Sequence, residues 1–246
     1  DISALTVDAL PFQLREELTG GDASSLKIAE LDETDADNLN TVVAIREDGT
    51  HSMFAFAQPV KYVDEATNAI RFIDNTLVAP EENALERIFS QTAYENAANS
   101  LRVALPKRIR QGIVLEQSGR RLQMTPVTNQ NPPAIKKEVC FAGQTQSMVE
   151  HENAFGENVH LQYAAVNQGV KENILLEEYT GVNEFSFIIE AKGLVPDVSQ
   201  GAVIQLLDEE TGDAVFQFHR AWAMDSYGEE DATQESAGLN TDISAE

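Results

Sequence analysis

The chain has 246 residues, 42% hydrophobic and 24% charged, with a formal net charge of −24 and one cysteine. That length and apolar content exclude wholesale disorder and are ample for one large or two small domains with a real core. Lone Cys140 excludes an internal disulfide framework, and so negative a field repels phosphate backbones, so nucleic acid is not an expected partner.

The charge is unevenly spread. Residues 1–40 hold ten acidic and two basic side chains, and residues 225–246 hold seven acidic and none basic. The first stretch reads as an acidic leader and the second as an acidic linker, both adding little to stability. Within the leader, 11–18 (PFQLREEL) is predicted as a short helix, with Asp8 as cap and Gly20-Gly21 closing it. The run DETDADN at 32–38 has the clustered carboxylates that calcium takes. It lacks the Gly and Glu of an EF-hand loop at their required spacing, so it reads as a solvated acidic loop. Starting at Asp1 without methionine or an apolar leader, the sequence reads as a piece of something longer or a processed form. No apolar run approaches the roughly 18 residues of a membrane helix.

From Thr41 the pattern becomes that of strands. TVVAIRED and HSMFAFA, joined at Gly49-Thr50, predict a hairpin with Met53 and Ala55 on one side, Phe54 and Phe56 on the other. VKYVD and AIRFID predict a second hairpin across 65–68. Over 80–100, Pro80-Glu81-Glu82 and the spacing of Leu85, Ile88 and Phe89 predict one short helix, then an irregular approach to the strand LRVAL. GIVLEQ and RLQMTPV follow as a hairpin about Ser118-Gly119. TNQNPPA, at 128–134, is the expected boundary inside the middle, since adjacent prolines prevent regular pairing. Two β lobes, 41–128 and 129–224, are expected on either side.

The second lobe centres on 158–194. Val159, Leu161 and Tyr163 alternate with His160 and Gln162. After Asn167-Gln168-Gly169 comes an apolar-rich run ending in Ile174, Leu175 and Leu176, and after 180–183 Phe185, Phe187 and Ile189 alternate again. A three-strand meander is expected. AVIQLLD and AVFQFHRAW predict a last hairpin across 209–213.

No residue grouping with catalytic or metal-binding spacing stands out. His151-Glu152 and His160 lack the helical H-E-x-x-H spacing and read as one loop and one strand-face histidine. Cys140 lies among alternating apolar residues and reads as a small buried hydrophobe rather than a nucleophile. There is no G-x-S-x-G, phosphate-cradling glycine loop or C-x-x-C, and no carboxylate pair can be singled out among 41 acidic residues. Trp222 and Tyr227 suit a sugar-binding face, but Trp222 reads as packed inward at a strand end. Lys107, Arg108, Arg110, Arg120, Arg121, Lys136 and Lys137 form the one basic concentration, which reads as internal charge balancing. Catalytic, cofactor and metal residues are therefore assigned as none.

The order DGT, PVKYVD, IRFIDNTLV, YENAANSLRVALP, GRRLQMTPV and the whole 158–194 stretch resembles the region upstream of the repeats in bacterial Rhs/YD-repeat surface proteins, often found with DNRLRE-type modules and including wall-associated proteins. The resemblance covers roughly 48–224 and rests on two hairpins, at 59–77 and 159–176. It implies a secreted or wall-exposed, non-catalytic β module near the N-terminal side of a very long protein. Other domains of that protein are its implied partners, with cell-wall or host glycans as implied ligands. The family contributes no functional residue to this region. The expected fold is all-β and predominantly antiparallel, a sandwich or two packed lobes with one or two short helices. The expected function is a structural or adhesive module; the alternatives are a carbohydrate-binding accessory module and a wall-acting hydrolase.

Overall fold

Alternating apolar and polar residues, punctuated by Gly, Asn and Asp, become antiparallel strands. The computed structural model describes residues 28–32, 38–46, 48–81, 90–141, 144–199, 201 and 203–223. In chain order the strands are β1 (Ile28–Asp32), β2 (Thr41–Arg46), β3 (His51–Ala55), β4 (Lys61–Asp64), β5 (Ala69–Phe72), β6 (Asp74–Val78), β7 (Thr92–Ala98), β8 (Arg102–Pro106) and β9 (Ile113–Gln117). They continue as β10 (Arg120–Pro126), β11 (Ile135–Phe141), β12 (Gln144–His151), β13 (Val159–Val166), β14 (Gly169–Leu176), β15 (Phe187–Glu190), β16 (Leu194–Asp197), β17 (Ile204–Asp208) and β18 (Ala214–Phe218). The fold is all-β, its sheets antiparallel and open rather than closed into a barrel.

The chain divides into two compact units, Asp1–Glu190 and Ala191–Glu246. The first holds a six-stranded sheet, β15-β10-β9-β8-β7-β6, and a four-stranded meander, β11-β12-β13-β14, besides the β1-β2-β3 sheet and the β4-β5 hairpin. The second holds the β16-β17-β18 sheet. Among the described residues the one helical element is a 3-10 turn, Ile109–Gln111. The helix expected at 11–18, the part of the next at 82–89, residues 33–37 of the acidic run, Tyr227 and the linker lie outside the described residues.

Hairpins form where turn chemistry is local. Asp48 Oδ1 accepts from Thr50 N–H at 2.9 Å, and Asp64 Oδ1 accepts from Ala66 and Thr67 N–H at 3.0 and 3.1 Å. Ser118 and Gly119 both take positive φ, 50° and 74°, the two-residue geometry whose twist matches its strands. Gly112 is required for space as well as conformation. At φ 72° an added Cβ would stand 2.7 Å from Met124 O.

Two expectations change. Thr92–Ala98, expected to belong to an irregular approach after a short helix, is β7 inside the six-stranded sheet. Asn96 secures it there. Its Nδ2 donates to Leu101 O at 2.9 Å and its Oδ1 accepts from Val103 N–H at 2.8 Å, both within the buried β7–β8 connection. Asn96→Ala strips partners from both backbone groups, so it should cost about 1–3 kcal/mol in urea unfolding. An unchanged midpoint would remove this role.

The expected meander of 158–194 keeps only its first two strands. β13 and β14 pair in unbroken register from Val159↔Leu176 to Val166↔Gly169, but β15 leaves to pair with β10, Pro126↔Phe187 through Gln123↔Glu190. The long connection over 177–186 permits this, and aromatic packing favours it: Phe155, between β12 and β13, meets Phe185 and Phe187 edge-on at 4.9 and 6.0 Å. The real meander starts earlier, at β11. Around 128–134 the chain bridges back to the β8 end, where Ile109 N–H donates to Pro132 O and Ala134 N–H to Lys107 O.

Candidate functional site

Polar groups converge on the β11–β14 sheet, and its register decides which of them share a face. Val149 opposes Tyr163 and Tyr163 opposes Glu172, while His151 opposes Leu161. Side chains two residues apart share a face. His151, Leu161, Tyr163 and Glu172 therefore line one face; Glu150, His160 and Gln162 line the other.

On the second face Glu150 is buried yet charged. Its carboxylate accepts from Lys137 Nζ and, at 2.6 Å, from Gln162 Nε2. Burial alone would push it up, but these two donors hold it below the usual carboxylate range. Lys137, raised by the same bond, also stands 3.6 Å from Glu152. His160 accepts from Asn153 N–H through Nδ1 at 3.1 Å, while its Nε2 lies 3.3 Å from Glu177 Oε1 without a hydrogen bond. Lys137→Met leaves Glu150 with one donor and should cost about 1–2 kcal/mol, since Lys137 is itself partly exposed. The loss should shrink as the buffer is taken down through and below the ordinary carboxylate range, where Glu150, held low, at last protonates. A cost that does not fall with pH would mean that packing of the lysine stem, not charge, is at work.

On the first face several polar atoms make no hydrogen bond. Tyr163 and His151 are almost fully buried, their rings edge-on with centroids 6.4 Å apart. His151 Nδ1 lies 3.3 Å from Pro132 O, and burial keeps the ring neutral. Among the described residues, five side-chain atoms are shielded from solvent without a hydrogen-bond partner: His151 Nε2, Tyr163 Oη and Glu172 Oε2 on this face, His160 Nε2 on the other, and Thr41 Oγ1. Burial pushes Glu172 up to about 7, and the nearby Tyr163 hydroxyl, short of a well-formed hydrogen bond, only tempers the rise.

Beyond the end of β14 lies a shallow pocket of about 340 Å³. Phe155, Val159 and Val182 give it an apolar lining, and Glu157, Asn158 and Glu178 are polar lining residues. Asn158 Nδ2 donates to Glu178 at 2.6 Å. Tyr179, next to Glu178, is 94% exposed.

The sequence candidates do not converge. His151 and His160 occupy opposite faces, one buried at the end of β12, the other on β13. Among the described residues no three His, Cys, Asp or Glu side chains could together hold a metal ion. Cys140 sits on β11 opposite Thr145, and its side chain lies outside the described residues. Trp222, expected to pack inward, is 68% exposed, because β18 ends at Phe218 and no strand carries 219–223. Several basic residues bind acceptors of the chain itself: Lys107 donates to Ser90 O, Arg108 to Asn131 O, Lys136 to Leu77 O, and Lys137 to Glu150. Sequence reasoning missed Glu150, Glu172 and the Phe155 pocket. The first two are acidic residues inside strands, a signal weakened by how many acids the chain has.

Among the described residues no helix is long and apolar enough to cross a membrane. Compared with protein families, curated proteins and solved structures, the chain matches none.

Proposed function

We propose that the chain is a non-catalytic structural or adhesive module of a large bacterial surface protein of the Rhs/YD-repeat type, exposed outside the cell or at its wall. One observation carries the non-catalytic part. The polar groups with chemical potential are either consumed by structural bonds, as Glu150, Lys137 and His160 Nδ1 are, or sealed from solvent, as His151, Tyr163 and His160 Nε2 are. The surface assignment rests on the sequence resemblance. It is supported by the pairing of the second of its two hairpins as β13–β14, and of the β4–β5 ladder within the first. A carbohydrate-binding role is the second reading, favoured by the highly exposed Tyr179 beside the pocket and by exposed Trp222.

Co-sedimentation with purified Gram-positive cell walls tests the adhesive reading, and a panel of ester, peptide and glycoside substrates tests the absence of turnover. Wall binding without turnover is the expected result. Turnover abolished by substitution at Cys140, His151 or His160 would overturn it.

A further inference from the structure

The edges of the described sheets are unequal. β15 has four residues, β6 is broken by an irregular register, and β11 carries Lys136 and Lys137, all features that discourage pairing with another chain. β14 carries one lysine, Lys171, but is neither short nor irregular. It runs eight residues, Gly169–Leu176, without proline or bulge, pairs on one side with β13, and ends the sheet order on the other. Its last two residues, Leu175 and Leu176, point to opposite faces and are 44% and 39% exposed. The Phe155 pocket opens next to them, since Val159 opposes Leu176 and Glu177 N–H donates to Asn158 O. Glu157, Glu177 and Glu178 are exposed around that end.

We propose that β14 is a docking edge for an extended polypeptide segment of another protein, which adds to it as a fifth, antiparallel strand. A row of backbone donors and acceptors recognises a strand irrespective of its side chains, so the edge itself selects a polypeptide. Specificity comes from the ends. The segment places an apolar side chain in the Phe155–Val159–Val182 pocket, and a basic group near its N-terminal end meets Glu157 and Glu178. Antiparallel pairing sets that polarity, because β14 runs toward the pocket. A second copy of this chain is disfavoured as occupant: the lysines of its own edge strand β11 are engaged with Leu77 O, Glu138, Glu150 and Glu152. The proposal rests on the adhesive reading and adds the chemistry of the partner.

Amide hydrogen exchange of the full chain, with a synthetic peptide alternating valine and lysine as probe, tests it. Added peptide should slow exchange across 169–176. Replacing its lysines by glutamates should weaken binding about tenfold or more, as should Glu157→Gln with Glu178→Gln, or Leu175→Lys with Leu176→Lys. All four positions are at the surface or pocket rim, so an unchanged melting midpoint verifies the fold of each variant. Protection appearing on other strands, equal affinity for the acidic peptide, or binding undiminished in both double variants overturns the proposal. So does concentration-dependent self-association that protects 169–176 without peptide. Failure of wall co-sedimentation with protection of β14 intact would remove the wall target and leave the docking edge standing.

Discussion

Leu161→Ala is expected to cost about 2–5 kcal/mol of folding free energy, read as a lowered urea midpoint. Leu161 lies on β13 between His151 and Ile174 and is entirely shielded from solvent. Truncation removes apolar atoms from a site that strands on both sides hold open, so a transfer loss and a cavity add. Its neighbour Gln162 points to the other face. Alternation alone would make Gln162→Ala nearly neutral, but Gln162 donates to the buried Glu150 carboxylate at 2.6 Å. About 1 kcal/mol is therefore expected. Phe187→Ala should fall between the two, because Phe187 is half-buried against Phe155. Exposed Ser186 should tolerate Ala within about 0.5 kcal/mol. If Gln162→Ala proved as damaging as Leu161→Ala, the inward and outward sets of β13 would be exchanged, as a one-residue register slip would do.

What the sequence made legible was whatever a few neighbouring residues decide. Asp48-Gly49, the turn after Asp64, Ser118-Gly119 and the turn after Asp208 each hold their own backbone through side-chain acceptors or positive φ, and each joins the two strands expected. What it hid depends on distant partners. Phe187 alternates as well as Leu161 does, but nothing local says that its strand pairs with 123–126 instead of β14. Thr92–Ala98 is rich in Ala, Asn and Glu and is a strand because β6 and β8 flank it. Tertiary context also hid the candidate site. In VKENILL the apolar residues crowd both faces, so alternation cannot show that Glu172 turns toward Tyr163. Glu150, one carboxylate among 41 acidic residues, becomes visible only when Lys137 and Gln162 meet it across neighbouring strands.

The second large effect is a loss of stability as pH rises, centred on Glu172. The folded chain holds this carboxyl at about 7 against an ordinary value of 4.5, with burial as the cause. Below 4.5 both folded and unfolded chains carry the proton, and the group contributes nothing. Between 4.5 and 7 the folded chain keeps a proton that the unfolded chain has released, so stability falls with rising pH. Above 7 the penalty is complete, and a shift of this size corresponds to about 3 kcal/mol. Among the described groups only the Tyr163 hydroxyl acts on it appreciably, and no cation offsets the charge. Other carboxylates titrate in the same range, and Glu150, held low, works in the opposite direction: its stability is lost as pH falls. The informative quantity is therefore a difference. Urea unfolding of the native chain and of Glu172→Gln should give similar stabilities near pH 4.5, with the variant ahead by about 2–3 kcal/mol at pH 8. Tyr163→Phe removes the group that tempers the shift and should move the midpoint of the native chain's decline upward in pH. Parallel curves for the native chain and Glu172→Gln would mean that water reaches this carboxyl in solution, and the sealed polar face of β12–β14 would not be sealed.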